Sequence, residues 1–395
     1  MRNYSLRNTR WVSPGHEMDY IASIITRETS RFYVVGNRNE VERFINRVGF
    51  RLIERRLIKG IVLTEYDEDV TEINNVPVIK DADILADGES IVICTAFERT
   101  QYESIFELFG NYGFEENISF FQGELFTMVY EVYVHNLLIL DRIEIFMTSY
   151  CSLNCKNCIA YIPYFKEKSN ISLDTLKTDA DILFSKVDRV NKFKVLGGEG
   201  LIYPYLCEYL KYVCDNYRNQ VGTIRIGTNG TIYPSEELLK ICREYQIIVD
   251  ISDYRIAIGD RSKLENVKKI CEDNHVLVDV KRTGEQWLDL GFPYNLPSER
   301  NEQQLKNHFF KCAMFCRNFH KGKLYFCCSN FAAIKAGLFD ENENDYFDFT
   351  RDFTKKQLLE YELGFSNLGH TTFCKVCRGC SNEVNPFHVE VARQI

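Results

Sequence analysis

The sequence lacks any run of about 18 consecutive apolar residues, the length that a transmembrane helix needs. Its first residues, Met1-Arg-Asn-Tyr-Ser-Leu-Arg-Asn, lack the apolar core of a secretory signal peptide. It also lacks an excess of basic residues, since the net charge is −8, so bulk charge favours neither nucleic acid nor an anionic membrane as a partner. These absences predict a cytoplasmic protein that binds neither membranes nor nucleic acid.

Cysteine, by contrast, is abundant. Fifteen cysteines in a chain without an export signal indicate metal binding rather than disulfides. Five are scattered, and we expect them to be small buried apolar residues: Cys94, Cys207, Cys214, Cys242 and Cys271. The other ten fall into two groups.

The first group is the run Cys151-Ser-Leu-Asn-Cys155-Lys-Asn-Cys158, with the spacing C-x3-C-x2-C. Three thiolates so placed can ligate three irons of a [4Fe–4S] cluster, and no fourth cysteine follows nearby. One iron is then open to another ligand, as in a catalytic rather than a structural metal site. The run follows a strand-like segment, 142–149, and the carboxyl end of a strand is where α/β barrels build active sites.

This strand and cysteine loop resemble the signature of the radical S-adenosylmethionine (radical SAM) enzymes. The resemblance implies that Cys151, Cys155 and Cys158 ligate a catalytic [4Fe–4S] cluster whose open iron chelates S-adenosylmethionine. One electron would then cleave the cofactor to a 5′-deoxyadenosyl radical, which abstracts hydrogen from unactivated carbon. An external one-electron donor such as flavodoxin or ferredoxin is implied as a partner.

Three later strand-like segments run into short polar motifs, in the order that this family shows. Lys192–Leu196 is followed by Gly197-Gly198-Glu199, in which the glycines allow close backbone approach. The resemblance implies that the glutamate holds the amine of the methionine moiety. It also implies cofactor contacts at the next two strand ends, Thr228 with Asn229 and then Ser252 with Asp253.

Two positions depart from the family pattern. Gly200 stands where a proline is often found, and Asn157 stands where an aromatic residue often packs near the adenine. Tyr161, Tyr164 and Phe165 follow closely and are candidates for the adenine contact, although an aromatic run after a loop more often belongs to a core.

The second group contains seven cysteines in the C-terminal region: Cys312, Cys316, Cys327, Cys328, Cys374, Cys377 and Cys380. The spacing resembles the auxiliary-cluster extension of radical SAM enzymes, called SPASM in its two-cluster form and twitch in its one-cluster form. The ending lacks the longer cysteine string of full SPASM and fits twitch. The resemblance implies one auxiliary [4Fe–4S] cluster held by Cys312, Cys327, Cys374 and Cys377, which could accept an electron from a substrate radical.

Other uses of these seven thiols stay open. Cys327 and Cys328 would point in opposite directions on a strand, so one of them would not ligate the same cluster. Cys316 and Cys380 are reserve ligands, which leaves a second auxiliary cluster open. A structural zinc site made from the same thiolates is the rival interpretation.

The N-terminal third alternates strand-like and helical segments, which predicts a small parallel sheet. It resembles the Rossmann-like domain of sugar-modifying enzymes in surface-polysaccharide pathways. The dinucleotide fingerprint G-x-G-x-x-G is missing, and Glu65 lies too far along the chain for the usual ribose contact. A domain for docking or substrate delivery is therefore favoured over a nucleotide site.

The predicted fold class is α/β: a partial (β/α) radical SAM barrel of five to six strands, with a Rossmann-like domain before it and a twitch/SPASM-like cluster domain after it. The predicted boundaries are 1–140, 141–291 and 292–395. The function implied is an oxidoreductase or epimerase acting on a sugar, sugar nucleotide or related polar metabolite, with Arg255 as a candidate substrate contact or else a surface arginine. Peptide modification is a second hypothesis, and a cluster-bearing sensor or binding protein without turnover is a third.

Overall fold

The computed structural model describes residues 14–49, 52, 57–65, 69–86, 88–96, 99–254, 262–282, 284, 286–312 and 316–395. The chain divides into two compact units. One runs to Leu138 and includes Thr354–Phe365, and the other comprises Ile139–Phe353 and Ser366–Ile395. The three-domain division at 140 and 291 stays a prediction. Across the described ranges, no helix combines the length and apolar character needed to cross a bilayer.

The first unit contains a four-stranded parallel sheet with the strand order β2-β1-β5-β6. Its elements are α1 (Asp19–Ile25), β1 (Arg31–Gly36), α2 (Arg38–Phe44), β2 (Ile58–Leu63), β3 (Glu72–Ile73), β4 (Val76–Pro77), β5 (Ser90–Cys94), α3 (Arg99–Asn111), β6 (Phe120–Gln122), α4 (Gly123–His135) and α11 (Lys355–Glu362). The small parallel sheet predicted here is confirmed. Asn37 caps α2, since its side chain accepts from the Glu40 N–H at 3.0 Å.

The second unit is built on an eight-stranded sheet with the order β11-β10-β9-β8-β7-β13-β14-β15. Its elements are β7 (Ile139–Phe146), α5 (Leu173–Lys186), β8 (Arg189–Leu196), α6 (Leu206–Tyr217), β9 (Val221–Thr228), α7 (Glu236–Tyr245), β10 (Ile248–Asp253), α8 (Ser262–Asp273), β11 (Val278–Arg282), β12 (Gln286–Leu288), α9 (Glu302–Lys311), β13 (Asn318–His320), β14 (Lys323–Tyr325), α10 (Cys328–Lys335), β15 (Tyr346–Asp348) and β16 (His388–Glu390). Strands β7 to β11 are parallel and alternate with helices, as predicted.

The sheet continues past β7 with strands from the cysteine-rich region. β13 lies parallel to β7 through the register pair Asn318–Glu144, and β14 and β15 follow antiparallel. β12 pairs with β16 instead of extending the parallel sheet. The sixth neighbour in the sheet therefore comes from beyond α9, which is why the run of sequence after β11 offered no clear sixth strand.

The two faces of the parallel strands differ in polarity because side chains alternate along a strand and register partners share a face. One face carries fully buried apolar side chains: Ile143, Ile145, Phe193, Val195, Ile224 and Ile226. The opposite face, called the polar face below, carries the charged side chains Arg142, Glu144, Lys192, Lys194, Arg225, Asp250, Asp279 and Lys281. The apolar face forms core, and the polar face is available for chemistry.

Candidate active site

The loop that follows β7, residues 147–158, brings three thiols together at the carboxyl edge of the sheet. Cys155 is buried, and Cys151 and Cys158 are half-buried. Burial raises the pKa of Cys151 to about 11, and burial likewise raises the pKa of the other two thiols. Each thiol is also close enough to another of the three to raise its pKa. A metal that binds here must displace these protons.

The loop after β8 lies against the cysteine loop at a distance that only glycine permits. The Gly198 N–H donates to the Thr148 carbonyl at 2.7 Å, and the Glu199 N–H donates to the Tyr150 carbonyl at 2.8 Å. A Cβ on Gly197 would lie 2.5 Å from the Thr148 oxygen, and one on Gly198 would lie 2.4 Å from the Tyr150 oxygen. The predicted role of these glycines in close backbone approach therefore has a specific partner, the cysteine loop.

Glu199 joins this loop to the loop after β9. Its side chain is fully buried and accepts from the Leu201 N–H at 3.0 Å and the Asn229 N–H at 2.7 Å. Burial raises the pKa of the carboxyl group, whereas these N–H donors and the Thr228 hydroxyl lower it. The Asn229 amide in turn donates to the Cys151 sulfur at 3.7 Å, so two of the predicted motifs meet the cysteine loop.

Ser252 and Asp253 end β10 at the same edge of the sheet. Ile251 is the register partner of Thr228, so Ser252 and Asp253 follow directly after the level of Thr228. The next residue, Tyr254, packs edge-on against Trp287 with ring centroids 5.4 Å apart, in an apolar cluster that includes two of the thiols. Arg255 lies outside the described residues.

A cavity of about 210 Å³ adjoins the third thiol of the loop. Its lining includes Asn157, Cys158, Tyr161, Tyr164, Phe292 and Tyr294. Two of the three aromatic residues that the sequence offered for the adenine contact therefore lie beside Asn157. Phe165 instead stacks on Phe146 at 6.2 Å and belongs to the core.

The sequence model of the Radical SAM superfamily matches residues 145–305, a range that contains the cysteine loop and all three later motifs. This segment is a radical SAM domain. Members of this superfamily hold a [4Fe–4S] cluster and bind S-adenosylmethionine. The three clustered thiols, the hydrogen bonds to sulfur and the glycine-lined loops of this chain fit that pair of cofactors.

Three solved structures illustrate what the chain is similar to. BtrN in complex with AdoMet and 2-DOIA is 17% identical, with a TM-score of 0.40 over 63% of this chain and 98% of that one. The anSMEcpe structure with bound AdoMet is 14% identical, with a TM-score of 0.37 over 61% and 89%. SuiB of Streptococcus suis bound to S-adenosylmethionine is 14% identical, with a TM-score of 0.30 over 45% and 37%. No curated protein sequence matches the chain.

Cys155 receives a side-chain hydrogen bond that the sequence did not reveal. Gln394 donates from Nε2 to the Cys155 sulfur at 3.2 Å, and its Oε1 accepts from the Asn154 N–H at 2.7 Å. The segment around it is held to the cysteine loop by Lys156 N–H to Arg393 O at 2.8 Å and Ile395 N–H to Asn154 O at 3.0 Å. No motif surrounds Gln394, so only the folded chain reveals it.

Replacing Gln394 with leucine is expected to make the midpoint potential of the radical SAM cluster more negative, because hydrogen bonds to cluster sulfurs are one of the terms that set the potential. Loss of a contact to a metal ligand typically lowers metal affinity or activity about 10- to 100-fold. An electron paramagnetic resonance redox titration measures the shift. Gln303→Leu, at a position in α9 remote from the loop in sequence, is the matched control, and an equal shift in both variants would contradict a role for Gln394.

Four of the seven cysteines in the second group lie close to one another in the structure. Burial raises the pKa of Cys327, Cys374 and Cys377, and Cys312 lies close enough to these three thiols to raise the pKa of each further. Backbone N–H groups donate to two of these sulfurs at 3.3 Å, Gly379 to Cys377 and Cys380 to Cys312. The four thiols predicted to hold an auxiliary cluster are thus neighbours, with N–H···S contacts that suit cluster thiolates.

Arg300 makes hydrogen bonds to the backbone of this set, a role that the sequence did not predict. Its Nη1 donates to the carbonyls of Cys374 and Cys377, both at 2.9 Å. The expectation that Cys327 and Cys328 alternate along a strand is wrong, because β14 ends at Tyr325 and Cys328 is the first residue of α10. Cys327 is the N-cap residue of that helix.

Proposed function

We propose that the protein is a cytoplasmic radical SAM oxidoreductase or epimerase that abstracts hydrogen from a sugar, a sugar nucleotide or a related polar metabolite. The observation that carries the substrate class is the polar face of the parallel sheet. The fifteen cysteines form no disulfide in the described part of the chain, which supports the compartment. An external one-electron donor, of the flavodoxin or ferredoxin type, belongs to the same proposal.

The polar face is dominated by charge rather than by apolar side chains. Lys194 pairs with Asp250 at 3.0 Å, and Arg225 pairs with both Asp250 and Asp279, the latter at 2.8 Å. Burial lowers the pKa of Lys192, and the neighbouring cations Arg142 and others lower it further, which marks an excess of positive charge at that end. Such a face suits a hydroxyl-rich or phosphate-bearing ligand better than an apolar one.

The chain's own residues have distinct tasks in this proposal. Cys151, Cys155 and Cys158 would hold the catalytic cluster, and Glu199 fixes the two loops beside it through its backbone contacts. When bound and reduced, the cluster would supply the one electron that cleaves S-adenosylmethionine to a 5′-deoxyadenosyl radical. Asn157, Tyr161 and Tyr164 line a cavity next to Cys158 and would exclude water from the adenosyl group.

The proposed auxiliary cluster would act as an electron acceptor for the substrate radical. Cys312, Cys327, Cys374 and Cys377 would hold it, and Tyr161 is close enough to Cys377 and Cys327 to feel their charge. Tyr161 also lines the cavity beside Cys158, so the two cysteine groups approach the same side chain. This proximity supports an oxidation in which an electron leaves the substrate radical.

Replacing Cys377 with serine is expected to remove about four irons per chain, the content of one [4Fe–4S] cluster. Reductive cleavage of S-adenosylmethionine should persist, because the triad of the radical SAM domain is intact. Iron and sulfide analysis after anaerobic reconstitution measures the first effect, and 5′-deoxyadenosine formation measures the second. An unchanged iron content would contradict the assignment of Cys377.

The proposed function is tested by deuterium transfer. Deuterated nucleotide sugars and sugars are incubated with the reduced protein and S-adenosylmethionine, and a deuterated peptide mixture forms the parallel arm. Deuterium in 5′-deoxyadenosine from the sugar arm supports the proposal. Label from the peptide arm alone would establish peptide modification instead, and no 5′-deoxyadenosine in any arm would favour a sensor without turnover.

A further inference from the structure

Two cysteines of the second group that the proposed auxiliary cluster does not use lie together with a buried carboxylate. One oxygen of Glu144 and the sulfurs of Cys316 and Cys328 all lie within 4.8 Å of one another. Glu144 is buried on β7, and the two cysteines are half-buried. The thiols are themselves within hydrogen-bonding distance of each other.

Strand pairing between β7 and β13 and the start of α10 position these three residues. The Glu144 N–H donates to the Arg317 carbonyl at 2.7 Å, and the Asn318 side chain donates to the Glu144 carbonyl at 3.3 Å. Cys316 precedes this junction by one residue. Cys328 begins α10, so its position is set by the first turn of a helix. The group is therefore built where β13 joins β7.

The spacing fits a single tetrahedral metal ion. Two thiolates bound to zinc at about 2.3 Å lie about 3.8 Å apart, and a carboxylate oxygen at about 2.0–2.2 Å is at a similar distance from each sulfur. Thiolate ligands select zinc over the hard cations magnesium and calcium. Three protein ligands leave a fourth position for water or a small ligand.

Charge in this region also suits a divalent cation. Two thiolates and a carboxylate carry one negative charge more than such an ion balances, and Arg142 is the compensating cation, since its guanidinium donates to the Glu144 carboxylate. The compensating guanidinium is therefore in direct contact with one of the three ligands.

We infer that Glu144, Cys316 and Cys328 form a mononuclear zinc site, separate from the cluster of Cys312, Cys327, Cys374 and Cys377. The adjacent cysteines Cys327 and Cys328 then serve two different metal centres. The inference does not depend on the substrate of the radical reaction, since it concerns the joint between the cysteine-rich region and the first parallel strand.

The test measures zinc and iron together in the full chain. The anaerobically reconstituted protein is exposed to one equivalent of zinc and desalted, and both metals are then counted by mass spectrometry. We expect about one zinc per chain, and X-ray absorption should show two sulfurs at about 2.3 Å with lighter atoms at about 2.0 Å. Cys316→Ser combined with Cys328→Ser should lose the zinc, Glu144→Gln should weaken its retention at least tenfold, and Cys207→Ser should keep it.

Each alternative outcome overturns the inference in a recognisable way. Zinc that stays bound in the double variant belongs to another site. A loss of about four irons in the double variant would make these cysteines cluster ligands. Wild-type protein that takes up no zinc, with Cys316 and Cys328 joined as a disulfide, would make the pair a redox couple. Formation of 5′-deoxyadenosine by the double variant shows that it is folded and keeps the proposed function separate from this test.

Discussion

Replacing Cys155 with alanine is expected to abolish formation of 5′-deoxyadenosine, reducing it to the background of the assay. Cys155 is buried, and a cluster that loses one of three protein ligands leaves two irons without a protein ligand. The hydrogen bond from Gln394 to its sulfur is lost as well. Chromatography of the reaction with S-adenosylmethionine and dithionite gives the measurement.

Cys207→Ala is the matched control, because Cys207 lies in α6 outside both cysteine groups and is half-buried. It should keep the wild-type yield of 5′-deoxyadenosine and the wild-type iron content. If the Cys155 variant produced 5′-deoxyadenosine at the wild-type rate, the radical role of the cysteine loop would have to be abandoned.

Replacing Gly198 with alanine is expected to destabilise the radical SAM domain and prevent cluster assembly. The new Cβ would lie 2.4 Å from the Tyr150 oxygen and 2.8 Å from the Cys151 Cβ, and neither atom is the end of a flexible side chain. Overpacking typically costs about 1–3 kcal/mol, and a clash with backbone belongs at the upper end of that range. The clash pushes directly on Cys151, a proposed cluster ligand, so the effect on the cluster should exceed the effect on the fold.

Chemical denaturation gives the change in the free energy of unfolding, and the visible absorbance after reconstitution gives cluster content. Gly110→Ala is the control, since no atom lies within 4 Å of the added Cβ and alanine is favoured over glycine in a helix by about 1 kcal/mol. Gly110→Ala should be neutral or stabilising, with full cluster content. Equal cluster content in both variants would show that the two loops separate easily.

The parts of the site that are continuous in sequence could be predicted from it. Each parallel strand ends in its own motif, and parallel strands bring their carboxyl ends to one edge of the sheet, so the meeting of Cys151, Glu199 and Asn229 follows from local patterns. Gly197 and Gly198 were also informative, because the backbone of the cysteine loop comes so close to them that no residue with a Cβ would fit.

Contacts between distant segments could not be predicted in this way. Gln394 reaches Cys155 across 239 positions, and Arg300 reaches the Cys374 carbonyl across 74, and neither residue type is diagnostic of such a contact. Whether Cys327 and Cys328 lie on a strand or at the start of a helix depends on where β14 ends and α10 begins. Element boundaries are the least certain part of sequence interpretation.

The bridge between Gln394 and the cysteine loop has a consequence for biogenesis. A ribosome that has just made Cys158 must add more than 200 further amino acids before the amide that contacts Cys155 exists. Because that amide also anchors Asn154, the loop reaches its final form only after Gln394 has been made. Iron and sulfide delivered before that point would therefore meet three thiols whose loop is not yet anchored, and a cluster inserted then would lack the Gln394 hydrogen bond.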